Sequence, residues 1–288
     1  MRALIFGGTG MLGRAVVAEA RRRGMAALAL SHGQADVTDD ERVRYWVHAF
    51  RPDVVVNCAA FTRVDDCETD EAAATAVNGD AVGHLARAAA EAGVKLVQVS
   101  SDYVFDGRAD APYAEDAPTA PLSAYGRSKL AGERAALAGD GAGRNLVVRT
   151  SWLFGPGGPD FVTAIVRQIE GGKRQLRVVD DQTGRPTYTP YLARAIWDLA
   201  AARATGIVHY GNREPVTWCG LAREIAHLVD CAVEVVPVTT AEMPRPAPRP
   251  AYSVLDVTRF ERIVGRRVEP WGLGLVEVLA NWQRKASA

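Results

Sequence analysis

Apolar residues along this chain fall into two alternating rhythms. Short unbroken runs such as Ala3-Leu4-Ile5-Phe6 and Val54-Val55-Val56, and the run from Val94 to Ser101, have the pattern of strands covered on both faces in a parallel sheet. Between them, apolar residues recur every three or four positions, as at Val43, Trp46, Val47 and Phe50, which marks amphipathic helices. The alternation predicts strands at 2–6, 25–30, 94–101 and 145–154, and one starting at Val54. A short strand is also expected over Ala35-Asp36-Val37-Thr38. Strand–helix alternation of this kind implies an α/β fold with a doubly wound parallel sheet. Beyond Gly155 the rhythm changes to shorter elements, with Gly/Pro-rich turns at 155–159 and a Pro/Arg-rich segment at 244–250. The expected division is a sheet domain over 1–154, rejoined by part of about 180–212. The remaining parts of 155–288 form a smaller α/β domain.

Composition narrows the class. Acidic and basic residues number 34 each, so no global field points to nucleic acid or to a membrane surface. Four cysteines, Cys58, Cys67, Cys219 and Cys231, form no CxxC pair and no cluster with histidine. That spacing predicts reduced thiols in a cytoplasm and no metal site. No apolar run approaches membrane-spanning length, and the first residues read as a strand instead of a signal peptide.

The first strand runs into Gly7-Gly8-Thr9-Gly10-Met11-Leu12-Gly13. A glycine turn between strand and helix is the phosphate-binding start of a Rossmann-type dinucleotide unit. Gly7 suits the tight turn, Gly10 the close approach of a pyrophosphate, and Gly13 the packing of helix on strand, with the helix amides facing the phosphates. The second strand ends at Ser31-His32, without the acid that ordinarily binds the adenosine ribose. An uncharged end, with His32 there and Arg14 as a candidate neighbour, tolerates a 2′-phosphate. NADPH is therefore expected, with NADH left open. Asp36 stands where it would meet adenine, next to Val37; equally, Asp36 or Thr38 would cap the helix starting near Asp39. The small residues Ala59 and Ala60 end the next strand and leave room for a cofactor against backbone.

Ser100, Ser101 and Asp102 fall at the carboxyl end of a predicted strand, where ligands of such sheets bind, although a turn cluster would read the same way. Tyr125 and Lys129 are four residues apart on a helix that Ser123 caps, so they share one face. A cation beside a phenol favours its ionised form and brings a general acid toward working pH. A solvated helix face shows the same spacing by chance, so the pair gains its meaning from the rest of the chain.

Taken together, Gly7/Gly10/Gly13, Asn57-Cys58-Ala59-Ala60, Ser101 and Tyr125-Gly126-Arg127-Ser128-Lys129 occur in the order seen in the extended short-chain dehydrogenase/reductases, which this chain resembles over nearly its whole length. Ser-Ser-Asp-Tyr-Val-Phe-Asp-Gly at 100–107, Arg-Thr-Ser-Trp-Leu-Phe at 149–154 and Asp-Gln-Thr-Gly-Arg-Pro-Thr at 181–187 are similar to a reductase branch acting on nucleotide sugars. The resemblance implies an oxidoreductase that reduces a sugar ketone, with Tyr125 giving the proton, Lys129 holding the nicotinamide ribose and Ser101 fixing the carbonyl. It further implies cofactor contacts from Gly10, Met11 and Leu12, from Ser31, Asp36 and Val37, and from Ala60, Phe61 and Thr62. Asp102 and Trp152 are implied to meet the sugar. A nucleotide sugar is the expected partner, and a monomer or homodimer the expected assembly. Two departures from the family pattern stand out: Ser101 where threonine is common, and Asp160 where asparagine is common. A dehydratase would carry an Asp-Glu pair after the catalytic hydroxyl, whereas Asp102 is followed by Tyr103. A non-catalytic nucleotide-binding subunit has no need of Ser101, Tyr125 and Lys129 together.

Overall fold

The computed structural model describes residues 1–139 and 142–286. The unbroken apolar runs become β1 (Arg2–Phe6), β2 (Ala26–Leu30), β3 (Val54–Asn57), β4 (Lys95–Ser101) and β5 (Leu146–Thr150). With β10 (Gly206–His209) they form a six-stranded sheet in the order β10-β5-β4-β3-β1-β2, and every neighbouring pair runs parallel. On one face α1 (Met11–Arg22) packs with α8 (Thr189–Ala201) over Ile5, Val56, Val97 and Val148; on the other, α2 (Asp40–Phe50) and α5 (Ala81–Glu91) cover Leu4, Val55 and Leu96. α6 (Ala124–Ala138) lies beside α5 on that second face. Successive residues of each strand thus feed opposite layers, which is why these strands read as continuous apolar runs.

Three predicted elements differ. No strand forms at 35–38, although Ala35 and Val37 are buried. The Asp36 carboxylate accepts from the Thr38 amide (3.0 Å) and hydroxyl (2.8 Å), a local turn that satisfies the backbone in place of a ladder. The run 145–154 breaks after Thr150, because Trp152 takes a left-handed conformation (φ 48°), and only Leu153–Phe154 resumes as β6. The alanine-rich stretch from Glu68 to Ala76, whose composition predicts a single helix, is two short ones, α3 (Val64–Thr69) and α4 (Glu71–Thr75). A π-helical turn, Ala76–Asp80, follows directly and leads into α5.

The second region is built on α7 (Phe161–Glu170), α9 (Trp218–Val229) and α11 (Trp271–Ala286) around the parallel pair β7 (Gln175–Val179) and β12 (Glu234–Val238). Two-residue strands tie its loops together: β6 with β9 (Thr187–Tyr188), and β8 (Thr183–Gly184) with β11 (Val216–Thr217). Afterwards α10 (Thr258–Val264) packs on α8 and β10. No helix among the described residues is long and apolar enough to cross a membrane.

Candidate active site

The strand order reverses beside β1, which stands between β2 and β3; ligands of open α/β sheets bind at such a point. Gly7 (φ +68°) lies against the end of β3 so closely that a Cβ there would sit 2.5 Å from the Ala59 amide nitrogen, and a Cβ on Gly13 would meet the Gly7 carbonyl at 2.1 Å. Both glycines are demanded by the protein's own packing. Gly10 is not: a Cβ there would find only the Gly7 carbonyl, at 3.4 Å. It is also exposed and opens α1 without a side-chain cap. A bare glycine before uncapped helix amides is a cradle for a phosphate group, so the residues present fit a dinucleotide. Met11 borders the same turn, and Leu12 is buried under it.

Loop 155–159 of the second region covers this cradle. Gly158 lies against the Met11 side chain and Gly157 against the Arg14 guanidinium. Arg14, a candidate neighbour of Ser31 by sequence, is thus found under that loop. At the far end of the crevice, Ser31 binds Gln34 through its amide and hydroxyl (3.0 and 2.9 Å). Exposed His32 stands 3.8 Å from Asp36. The α2 cap is Asp39, which accepts from the Arg42 amide at 2.9 Å. Asp36 is therefore not the helix cap, and Val37 is buried beside it.

The loop from Cys58 to Thr62 is shaped by two buried asparagines. Asn57 accepts from the Ala59 amide (3.0 Å) and donates to Gln98 (2.8 Å). Asn78, in the π-helical turn, accepts from the Phe61 amide (2.9 Å) and donates to the Phe61 carbonyl (3.0 Å) and the Ser128 hydroxyl (3.0 Å). Ala59, Ala60 and Phe61 are partly buried and Thr62 is exposed. Asn78 thereby couples this loop to α6, between Tyr125 and Lys129.

Ser123 caps α6, accepting from the Gly126 amide at 3.1 Å. The two helix glycines allow backbone contact: a Cβ on Gly126 would meet the Tyr103 carbonyl at 2.2 Å, and one on Gly132 the Asn78 carbonyl at 2.0 Å. Tyr125 is half-buried, edge-on to Tyr103 with ring centroids 5.5 Å apart. Burial holds its phenol well above the usual tyrosine range, the reverse of the lowering expected from Lys129; Ser101 works against that rise and the charge of Asp102 adds to it. The Lys129 ammonium is buried and donates to the Val99 carbonyl at 2.7 Å. Burial lowers its pKa to about 8, while Glu133 and Cys58 pull the other way. Ser101 donates to Asp102 Oδ1 at 2.9 Å and accepts from the Tyr103 amide at 3.2 Å. The Asp102 carboxyl is pushed up to about 6, because burial outweighs the lowering influence of the polar groups around it, Ser253 and Ser101 first among them.

One turn beyond Lys129, Glu133 and Arg149 form a buried two-pronged pair (2.9 and 2.7 Å), and the Ser100 hydroxyl donates to the same carboxylate at 2.5 Å. On the side of the second region, Trp152 stacks on Trp218 with centroids 3.5 Å apart, and Gly184 packs against its ring. Trp152 comes two residues after Thr150, the register partner of Ser101. From the Pro/Arg-rich segment, Arg249 makes a two-pronged pair with Asp65 (2.9 and 3.1 Å), and the buried Ser253 is near enough to Asp102 to favour its charged form. Asp160 caps α7: one oxygen accepts from the Thr163 amide (2.7 Å), the other from the Gly155 amide (3.1 Å). Its charge is thus turned to its own helix.

Tyr125, Lys129 and Ser101 therefore meet at the carboxyl end of β4, with the glycine turn at the end of β1. Sequence reasoning gave no site role to Asn78, Glu133, Arg149, Arg249 and Ser253, although Arg149 opens the 149–154 motif. A polar residue inside an alanine-rich helical stretch was the one signal for Asn78. The others depend on partners far away in the chain.

A model of the RmlD substrate binding domain matches residues 1–284. The chain is 44% identical to a dTDP-4-dehydrorhamnose reductase of Streptomyces griseus, covering 96% of this chain and 92% of that one. It is 47% identical to a probable dTDP-4,6-dihydroxy-2-methyloxan-3-one 4-ketoreductase of Streptomyces antibioticus, covering 98% and 95%. Among solved structures it superposes on a dTDP-4-dehydrorhamnose reductase of Bacillus anthracis in complex with NADP with a TM-score of 0.92, at 32% identity and covering 97% and 99%.

Proposed function

The chain belongs to the RmlD substrate binding domain family, and on that footing we propose that it reduces the 4-keto group of dTDP-4-dehydro-L-rhamnose to give dTDP-L-rhamnose, using NADPH. The observation that carries this reading is the placing of Ser101 at the carboxyl end of β4 beside Tyr125 and the buried Lys129, one turn apart on α6. A phenol so placed can give its proton to a ketone oxygen as that oxygen becomes an alkoxide. When bound, the reduced nicotinamide supplies the hydride for C4. Tyr125 gives the proton, Ser101 fixes the oxygen, and Lys129 offers its ammonium to the nicotinamide ribose. Gly10, Met11 and Leu12 hold the pyrophosphate, and Ala59, Ala60, Phe61 and Thr62 line the crevice. Ser31, Asp36 and Val37 stand at the adenosine end. Trp152 walls the sugar, with Asp102 behind Ser101. Four free thiols suit a reducing cytoplasm.

The 47% identity to a 4-ketoreductase of a different sugar supports a second reading, in which the ketone belongs to another dTDP-linked deoxy sugar. Incubation with dTDP-4-dehydro-L-rhamnose and NADPH, following nicotinamide absorbance and identifying the product sugar by NMR, separates the two. Rapid oxidation with dTDP-L-rhamnose as product is expected, with NADH used no better than NADPH. Turnover of only other 4-keto sugars would favour the second reading, and failure with all of them would overturn both.

A further inference from the structure

The proton of the Ser101 hydroxyl is committed. A serine hydroxyl has one proton and two lone pairs. Here the proton goes to Asp102 Oδ1 (2.9 Å), one lone pair takes the Tyr103 amide (3.2 Å), and the Tyr125 phenol lies near the same oxygen. A ketone oxygen only accepts, and so does an ionised carboxylate. For Ser101 to donate to a ketone it must withdraw its proton from Asp102. That carboxyl is buried (1% exposed), and its other oxygen, Oδ2, is buried without a hydrogen-bond partner. Stripping a buried carboxylate of a donor costs more than a neutral hydroxyl–ketone bond returns. Were Asp102 charged, the hydroxyl would stay with it.

We propose that Asp102 is a positioning residue that works as the neutral acid, donating its proton to Ser101 Oγ and so freeing the Ser101 hydrogen, with that of Tyr125, for the substrate's carbonyl oxygen. The inference deepens the ketone-reductase reading and rests on it. The protonated carboxyl takes the lone pair of Ser101 Oγ that the Tyr103 amide leaves open. Its proton comes from solvent and stays on Asp102 through the turnover, while the proton consumed is that of Tyr125. The surroundings agree. The side chains facing Asp102 are Ser101 from β4, Tyr125 from α6, Tyr103 from the adjoining turn and Ser253 from the segment before α10. Among the described residues no cation acts on it directly, since Arg249 is paired with Asp65 and reaches only as far as Tyr103. Burial alone raises the carboxyl. A charged Asp102 also opposes ionisation of Tyr125, so the neutral form removes an obstacle to proton transfer.

Two measurements test this. Infrared titration of the ligand-free protein, wild type minus Asp102→Asn, is expected to show a carboxyl band with its midpoint at about pH 6; a midpoint at about pH 4, as for an ordinary aspartate, would overturn the proposal. In pH–kcat profiles with NADPH and the ketone, wild type is expected to fall above the Asp102 titration by up to about tenfold per pH unit. Asp102→Asn keeps the donor, so it should be several-fold slower at acid pH yet lose that first descent, declining only near pH 8 where Lys129 titrates. Asp102→Ala, with no donor, should be slower than Asp102→Asn at every pH. An Asp102→Asn profile that parallels wild type, or an Asp102→Asn rate below that of Asp102→Ala, would overturn the proposal. Absence of any ketone reduction would instead overturn the functional reading, with the infrared arm still deciding where the proton resides.

Discussion

The two halves of α6 contain charged and polar groups of similar kind in opposite conditions. Toward its C-terminal end, Glu133 has both oxygens engaged by Arg149 and one also by Ser100; nothing there is left to react. At the N-terminal end, Tyr125 is half-buried and Ser101 shares its hydroxyl between Asp102 and the Tyr103 amide, while Asp102 keeps one oxygen unpartnered. Lys129 stands between, buried yet bonded to a neutral carbonyl. A saturated network fixes geometry, and an unsaturated one has capacity to spare for a ligand. Glu133 and Lys129 hang from Ser100 and Val99 of β4, the residues leading to Ser101. The locked half therefore sets the register of the reactive half.

If that contrast is right, Tyr125→Phe should lower kcat on the order of a thousandfold, with thermal stability and cofactor binding, read by fluorescence quenching, close to wild type. A Tyr125→Phe protein that keeps substantial activity would end the comparison. Glu133→Gln strikes the other half. It leaves Arg149 buried without its counter-charge and should cost about 3–5 kcal/mol in urea unfolding. Glu133→Met combined with Arg149→Met should recover most of that loss, because an apolar pair of similar volume is often neutral or better. If the double variant is no more stable than the single, the pair is not the lock described above. The finest effect is on titration. The Lys129 ammonium is the charged form below about pH 8 and is lost as pH rises through that value, with Glu133 favouring it. Any Glu133→Gln protein that folds should therefore show its alkaline limb of kcat/KM moved to lower pH; a limb at the wild-type position would confine Glu133 to a structural role.

Much of this was legible in the chain, for reasons of range. Runs such as Val54-Val55-Val56 are strands because both faces are buried, and that requirement is written into every residue of the run. Gly7, Gly10 and Gly13 carry a local turn, and Tyr125 and Lys129 a local helix spacing. What could not be read depends on distant partners. Glu133 meets Arg149 only once α6 is laid against β5, and Arg249 meets Asp65 across 184 residues of sequence. The expected strand at 35–38 failed because Asp36 satisfies its neighbours within the turn, which outcompetes the ladder that the apolar pattern suggests. The departure at Asp160 is accounted for by a capping box on α7.

Trp197 is fully buried and donates to the Val16 carbonyl at 2.9 Å, so α8, from beyond the chain's first excursion into the second region, is built into the wall of α1. β10 likewise closes the edge of the main sheet next to β5. A polypeptide cut at residue 154 would retain the glycine turn, Ser101, Tyr125 and Lys129, yet expose the flank of α1 and an unpaired edge of β5. The two regions are therefore not exchangeable modules. Within such an architecture, loops such as those at Trp152 and along 244–255 can be rewritten in place, while the framework that brings Ser101, Tyr125 and Lys129 together is inherited whole.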